Sequence, residues 1–254
     1  MGIPFTYVAD QSIKKPGFLD KFDVVVYPHV NGSSATMING RPMVGPAIPW
    51  KKAAETPNLG MWDETEDMRP AMGLDGLSAL KKFVERGGLL ITEGNSSRLP
   101  IDMGFAPSVS VVPTTRLNAR GGIYRAQIVA SKSPILYGYS DPTFPIYFSQ
   151  TPVMAVTPRD TTQENEGIDP ALVSAREATR ARVILKYHEK ADSLLVSGLL
   201  AGGDELAGKA AVVDAPVGKG HVVLFGIRPM WRWESQGSFA MALNAIANWN
   251  HLDF

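Results

Sequence analysis

The run from Phe83 to Pro100, FVERGGLLITEGNSSRLP, constrains the possible fold more than any other stretch of the chain. A helix is predicted to enter this run, because apolar residues recur at helical spacing at Leu77, Leu80 and Val84. Gly87 and Gly88 supply the left-handed backbone at which helices often end. The apolar segment Leu89–Thr92 lacks polar alternation, which is typical of a strand that is covered on both faces in a parallel sheet.

A polar turn, Gly94 to Ser97, follows this strand at its carboxyl end, where open α/β sheets place their ligands. His29 follows a second predicted strand, Phe22–Tyr27, and can reach the same edge. One hypothesis therefore makes Ser96 or Ser97 a nucleophile with His29 as its base. The usual Gly-x-Ser-x-Gly elbow is not matched, because Ser96 is followed by Ser97 and Arg98. The other hypothesis is that both serines and Asn95 cap the next turn.

The remaining patterns predict one α/β domain over residues 1–254. Phe5–Val8 and Phe22–Tyr27 indicate two early parallel strands, and hence a doubly wound, mostly parallel sheet with helices on both faces. Residues from about 108 to 200 form a β-rich extension, with a loop expected at Asp160–Ile168. Two further strands flank Val217–Gly220 as a hairpin, and an amphipathic helix ends the chain.

Composition excludes several classes of function. Lys and Arg together number 25, and Asp and Glu together also number 25. The chain therefore has no net charge that would favour nucleic acid or an anionic membrane as a partner. No apolar run has the length of a membrane span. Cysteine is absent, which excludes disulfides, thiolate metal sites and a Cys nucleophile, and leaves the cellular compartment open.

Several runs carry a resemblance to a known family. They are FDVVVYP, LKKFVERGGLLITEGNSS, SPILYGY, ELAGKAAVVDAPVGKGHVVLFGIRPMWR and GSFAMALNAI. In this order they resemble the class I glutamine amidotransferase-like domain at the C-terminus of bacterial zinc carboxypeptidases. The resemblance implies a flavodoxin-like sheet in a fragment of a longer protein, with a covalently attached peptidase domain upstream. Zinc would belong to that missing domain, and the chain would be extracellular or periplasmic if the parent is a secreted peptidase.

The sequence lacks the residues for both zinc peptidase and glutamine amidotransferase chemistry. A zinc carboxypeptidase needs a His-x-x-Glu pair, and no histidine here has Glu three residues later, so we expect no metal site or cofactor. A class I amidotransferase needs a Cys at the elbow and a His after a late strand. Here that late strand runs into Arg228 and Pro229, and arginine cannot act as a base near neutral pH.

A degenerate pocket is still predicted at the strand ends where the amidotransferase family has its active site. Its residues would be Glu93, Asn95, Arg228, Trp231 and Arg232. We expect Glu93, at the end of a buried strand, to pair with Arg228. The basic and aromatic cluster could recognise a peptide carboxylate, stack on a sugar or form a domain interface.

Three functions follow from these patterns. The first is a non-catalytic accessory domain of a zinc carboxypeptidase-related protein, used for interdomain packing or for positioning peptide substrates. The second is a serine hydrolase or amidase that uses the turn at residues 94–97 with His29. The third is a carbohydrate-binding or cell-envelope ligand-binding module that uses Trp231, Trp233 and the tryptophans of the long loop at residues 40–72.

Overall fold

A mixed β-sheet organises the longer part of the chain. The computed structural model describes residues 2–61, 63–157, 169 and 179–253, so the loop expected at Asp160–Ile168 lies outside the described residues. The described residues contain ten strands, which are β1 (Val24–Tyr27), β2 (Leu89–Glu93), β3 (Val109–Val111), β4 (Arg120–Ile128), β5 (Thr143–Ser149), β6 (Met154–Val156), β7 (Arg182–Tyr187), β8 (Leu195–Ser197), β9 (Ala210–Val217) and β10 (Gly220–Phe225).

Helices are short over the same residues. They are α1 (Asp10–Ile13), α2 (Ser34–Asn39), α3 (Gly73–Glu85), α4 (Arg98–Asp102) and α5 (Phe239–Ala247). The helix predicted before Gly87, the strand predicted at Leu89 and the amphipathic C-terminal helix are all present, as α3, β2 and α5. None of these helices is long and apolar enough to cross a membrane.

The strands of the sheet follow the order β1-β2-β10-β9-β7-β4-β5. The strand β2 pairs in parallel with β1 on one side and with β10 on the other. Every other pairing among the described strands is antiparallel, including β10 with β9, β9 with β7, and β7 with β4. The short strands β3, β6 and β8 join the sheet through β6–β9 and β8–β4 pairs.

The expectation of a mostly parallel, flavodoxin-like core with helices on both faces is therefore wrong. A parallel pair needs a crossover connection, usually a helix, whereas antiparallel neighbours can be joined by short turns. Apart from the two parallel pairs that β2 makes with β1 and β10, the described strands pair antiparallel. The only described helices longer than six residues are α3 and α5. The parallel part of the sheet is limited to β1, β2 and β10.

The expected hairpin at Val217–Gly220 joins β9 to β10, with Gly220 paired to Val217. Gly218 has a left-handed backbone, with φ at 62°. A Cβ at this position would lie 2.5 Å from the carbonyl oxygen of Glu85, so only glycine fits between the hairpin and the end of α3.

One face of β2 and β10 forms part of the main apolar core. Leu89 and Ile91 of β2 lie beside Val223 and Phe225 of β10 in this core, and all four side chains are fully buried. The core also includes buried residues of α5, namely Met241, Ala242 and Ala245. Burial of a large aliphatic or aromatic side chain contributes about 1.5–3 kcal/mol. The core thus fixes the strand ends from which the candidate site is built.

A buried charged cluster lies at the start of β10. The carboxylate of Asp214, fully buried on β9, accepts a hydrogen bond from Arg182 at 2.6 Å and contacts Nδ1 of His221 at 2.8 Å. A buried carboxylate needs such partners, because an unpaired charge is strongly destabilising in the interior. His221 pairs across the sheet with Leu89, the first residue of β2, so this cluster is at the strand end remote from Glu93.

The described residues divide into two compact units. The first comprises Met1–Phe22 and Gly32–Phe83, and the second comprises Asp23–Asn31 and Val84–Phe254, with the whole sheet in the second. The strand predicted at Phe5–Val8, in the first unit, does not form. Phe5 and Tyr7 are largely exposed and contact each other edge to face. An apolar run forms a strand only where a neighbouring strand can pair with it, and no described strand pairs with this run.

Candidate functional site

Gly94 begins the turn that leaves β2, and its surroundings explain why glycine is needed. Residues Gly94–Ser97 form a single 3₁₀ turn, and Gly94 has a left-handed φ of 53°. Its N–H donates to the carbonyl oxygen of Ile227, beyond the end of β10, at 2.9 Å. A Cβ on Gly94 would lie 2.6 Å from Nδ1 of His29 and 3.3 Å from Cγ of Arg228. The turn therefore brings the ends of β1, β2 and β10 to one point.

The two serine hydroxyls fasten this turn to its neighbours. The hydroxyl of Ser96 donates to the carbonyl oxygen of Pro28 at 2.5 Å and accepts from the N–H of Val30 at 3.0 Å. The hydroxyl of Ser97 donates to the carbonyl oxygen of Phe225 at 2.9 Å and lies 3.0 Å from the hydroxyl of Thr92. Neither serine caps α4, so the capping role expected for them is replaced by bonds to the adjacent strand ends.

Both ring nitrogens of His29 form hydrogen bonds, one to this turn and one to Asn31 on its own segment. Nδ1 accepts from the backbone N–H of Asn95 at 3.1 Å, which places the ring proton on Nε2, where it faces Oδ1 of Asn31 at 3.2 Å. Burial, and then the positive charge of Arg228, lower the pKa of His29, and the hydrogen bond to Asn31 opposes them. Among the described residues no hydrogen bond joins His29 to Ser96 or Ser97, so the structure does not assemble a nucleophile–base pair there.

Glu93 is the last residue of β2 and is partly buried. The ion pair expected between Glu93 and Arg228 does not form, and within the described ranges Glu93 has neither an ion-pair nor a hydrogen-bond partner. Burial without a counter-charge raises the pKa of Glu93 to about 7. The pair fails because the guanidinium of Arg228 is turned towards an indole ring instead.

That indole belongs to Trp231, and two guanidinium groups lie over it. The guanidinium carbon of Arg228 lies 4.6 Å from the ring centre, and that of Arg232 lies 5.1 Å from it. Tyr147 of β5 stacks on the same indole, with ring centres 6.1 Å apart and planes at 19°. Such cation–aromatic contacts stabilise each guanidinium but supply no negative charge.

The segment that carries this cluster has a strained backbone. Arg232 has φ at 46° and Trp233 has φ at 66°, both in the left-handed region that side chains with a Cβ rarely adopt. Trp233 is 75% exposed. In the described part of the chain neither Arg228 nor Arg232 has an acidic partner. Strain of this kind recurs where a loop is shaped for binding, which makes the cluster of Arg228, Trp231 and Arg232 the candidate functional site.

Among the described residues no group of three or more His, Asp or Glu side chains is placed to hold a metal ion.

The structure brings Glu93, Asn95, His29 and Arg228 to one strand edge and places Trp231 and Arg232 beside Arg228. Sequence reasoning missed Tyr147, the stacking partner of Trp231. Tyr147 lies 84 positions earlier in the chain, on a strand whose sequence resembles that of any core strand. No local pattern links it to the cluster.

No protein-family model matches the sequence, and no curated protein matches it. Among solved structures, the chain is similar to a cytoplasmic protein from Salmonella typhimurium, with 14% identity and a TM-score of 0.49, over 97% of this chain and 81% of that one. It is also similar to a ThuA-like protein from Bacteroides uniformis, with 11% identity and a TM-score of 0.45, over 94% of this chain and 74% of that one.

A third similar structure is a β-galactosidase from Bacillus circulans sp. alkalophilus, with 12% identity and a TM-score of 0.44. The match covers 94% of this chain and 25% of that one, so the chain spans about a quarter of the galactosidase. At these identities and TM-scores, the function has to be argued from the side chains of the site.

Proposed function

We propose that this chain is a non-catalytic binding domain that holds the carboxylate of a peptide between Arg228 and Arg232, against the indole of Trp231. One observation carries the proposal: two guanidinium groups share one indole ring, and neither has an acidic partner in the described residues. Two like charges near one ring repel each other, and an anion that contacts both offsets that repulsion.

A carboxylate suits this pair of cations better than a neutral ligand does. The planar guanidinium presents N–H groups in a fork that matches the two oxygens of a carboxylate. The guanidinium of Arg228 is partly buried, and burial lowers its pKa from the usual value. A desolvated cation gains more from an incoming anion than an exposed one does, because the local dielectric constant is lower.

Glu93 supports anion binding through its protonation state. Its pKa of about 7 means that a large fraction of the side chain is uncharged at pH 7, so it repels an incoming carboxylate less than an ordinary glutamate would. Above that pH the carboxyl ionises beside Gly94, against which Arg228 lies. We therefore expect peptide binding to weaken as the pH rises above 7.

The side chains at the turn support a non-catalytic role. The hydroxyls of Ser96 and Ser97 donate to backbone carbonyl oxygens, and Nδ1 of His29 accepts from a backbone N–H. A nucleophilic serine needs its hydroxyl proton directed at a base instead. The sequence resemblance to domains attached to zinc carboxypeptidases fits the same role, since recognition of a terminal carboxylate would position peptide substrates for such a neighbour.

The test compares a short peptide that has a free C-terminal carboxylate, acetyl-Ala-Ala-Phe, with the same peptide amidated at its C-terminus. Binding to the full chain is measured by calorimetry and by the fluorescence of the tryptophans. We expect the free acid to bind at least about tenfold more tightly than the amide. Arg228→Gln and Arg232→Gln should each weaken acid binding by about tenfold or more, whereas Arg41→Gln, at an exposed arginine of the other unit, should leave it unchanged.

Equal affinity for the acid and the amide would overturn the proposal, as would an unchanged affinity in the Arg228→Gln protein. The exposed Trp233 provides a contrasting test for a carbohydrate ligand. Neutral cell-wall oligosaccharides that bind the wild-type chain but not the Trp233→Ala protein, with no difference between the two peptides, would favour the sugar-binding function instead.

A further inference from the structure

A cavity of about 430 Å³ lies in the second unit, and its lining shares no residue with the cluster at Trp231. Arg98, the first residue of α4, lines it together with Val111, Val112, Pro113 and Val153. A water molecule in the liquid occupies roughly 30 Å³, so this space admits an organic molecule rather than a single water. Its volume also falls within the usual range for small-molecule sites, roughly 300–1,000 Å³.

The walls of this cavity are held in place by hydrogen bonds. The N–H of Val112 donates to the carbonyl oxygen of Val153 at 2.8 Å, which joins two walls directly. Gln150, on the rim, has a left-handed φ of 63° and is fixed through its side-chain amide. That amide donates to the carbonyl oxygen of Leu117 at 2.7 Å and accepts from the N–H of Ala119 at 3.0 Å. The cavity is therefore preformed, which reduces the entropy lost on binding.

Arg98 brings a positive charge to these apolar walls. It directly follows Ser97, whose hydroxyl is bonded to the carbonyl oxygen of Phe225, so the base of the arginine side chain is anchored. Across the described ranges Arg98 has no ion-pair or side-chain hydrogen-bond partner, and no Asp or Glu lines the cavity. Arg98 thus offers unused donors at a cavity whose lining combines the aliphatic residues with Thr114, Gln150 and Thr151.

We propose that this cavity is a second binding site, for a small carboxylic acid with a short aliphatic chain. The carboxylate would pair with the guanidinium of Arg98, and the chain would lie against Val111, Val112 and Val153. A single arginine fits the two oxygens of a carboxylate, whereas a phosphate dianion calls for more donors. The lining has no aromatic ring on which an aromatic ligand could stack, which favours an aliphatic chain.

The experiment titrates hexanoate into the full chain and follows backbone amide shifts by NMR, with hexanamide, acetate and inorganic phosphate as comparison probes. We expect saturable binding of hexanoate, at least about tenfold weaker binding of hexanamide and of acetate, and no competition by phosphate. Arg98→Gln should weaken hexanoate binding by about tenfold or more, while Arg228→Gln and Arg41→Gln should leave it unchanged. This pattern separates the site from the one proposed at Trp231.

A second variant guards against a folding defect in the Arg98→Gln protein. Val112→Phe adds volume to the wall of the cavity and leaves Arg98 in place, so it should abolish hexanoate binding while the unfolding transition stays cooperative. Equal affinity for hexanoate and hexanamide, undiminished binding in Arg98→Gln, or displacement of hexanoate by phosphate would each overturn the proposal. Loss of hexanoate binding in Arg228→Gln alone would assign the ligand to the other site and overturn it equally.

Discussion

The imidazole Nδ1 of His29 accepts a hydrogen bond from the backbone N–H of Asn95 at 3.1 Å. This bond ties the segment after β1 to the turn after β2, and it uses the nitrogen that a base would need. His29→Ala should lower the free energy of unfolding by about 1–3 kcal/mol, because a buried donor loses its acceptor. His29→Asn, whose side-chain oxygen can take the place of Nδ1, should retain most of that stability. Urea denaturation of the three proteins measures the difference.

The same contact predicts a dependence on pH. Burial and the charge of Arg228 lower the pKa of His29, so the folded protein favours the neutral ring. The resulting stability is fully present above the ordinary histidine pKa of 6.5 and is lost as the pH falls through the lowered value. The free energy of unfolding should therefore decrease more steeply below pH 6.5 in wild type than in His29→Asn. Parallel curves for the two proteins would contradict this assignment.

Glu93 should show the opposite dependence. Burial raises its pKa from 4.5 to about 7, so its stabilising contribution is present below pH 4.5 and is lost as the pH rises through 7. Glu93→Gln keeps the shape and removes the charge, and it should be more stable than wild type at pH 8 by about 2 kcal/mol, after allowance for partial exposure. Below pH 4.5 the two proteins should be equally stable.

Chemical denaturation at several pH values measures this difference, with Glu55→Gln as the control at an exposed glutamate of the other unit. A Glu93→Gln protein that is less stable than wild type at pH 8 would show that the carboxylate has an ionic partner after all.

The sequence was informative where one local pattern decides the structure. Helical spacing before Gly87, the unbroken apolar run of β2 and the glycines at Val217–Gly220 each specify an element, and each element is present. Whether strands pair parallel or antiparallel could not be predicted in this way, because it depends on how distant segments connect. The run after Pro100 predicts strands correctly, but nothing in its alternation tells whether a strand lies parallel or antiparallel to its neighbour.

The candidate site also has one feature that the sequence could predict and one that it could not. That Glu93, His29 and Arg228 meet at Gly94 follows from strand ends lying at one edge, which the sequence could indicate. The roles of these side chains could not be inferred, because they depend on the directions of individual bonds. A small rotation decides whether Arg228 faces Glu93 or the ring of Trp231, and only the folded structure determines it.

Ser97 gives a further test of the turn. Its fully buried hydroxyl donates to the carbonyl oxygen of Phe225 and contacts Thr92, so Ser97→Ala should lower the free energy of unfolding by about 1–3 kcal/mol. Ser78→Ala, at an exposed position of α3, should change it by less than about 0.5 kcal/mol.

A fluorophosphonate probe, checked on an active serine hydrolase, should leave the wild-type chain unlabelled. Labelling that disappears in Ser96→Ala or Ser97→Ala would restore the hydrolase hypothesis.

Glu205 anchors the loop before β4. Its carboxylate accepts from the backbone N–H groups of Thr115, Arg116 and Leu117, and although burial raises its pKa, these bonds outweigh burial and lower the pKa to about 2. The stability that it supplies is present above the ordinary pKa of 4.5 and is lost as the pH falls towards 2. Glu205→Gln should therefore lower the thermal unfolding midpoint at pH 7 and leave it unchanged near pH 2, as measured by circular dichroism beside Glu55→Gln. A deficit that persists undiminished at pH 2 would rule out the charge of Glu205 as its source.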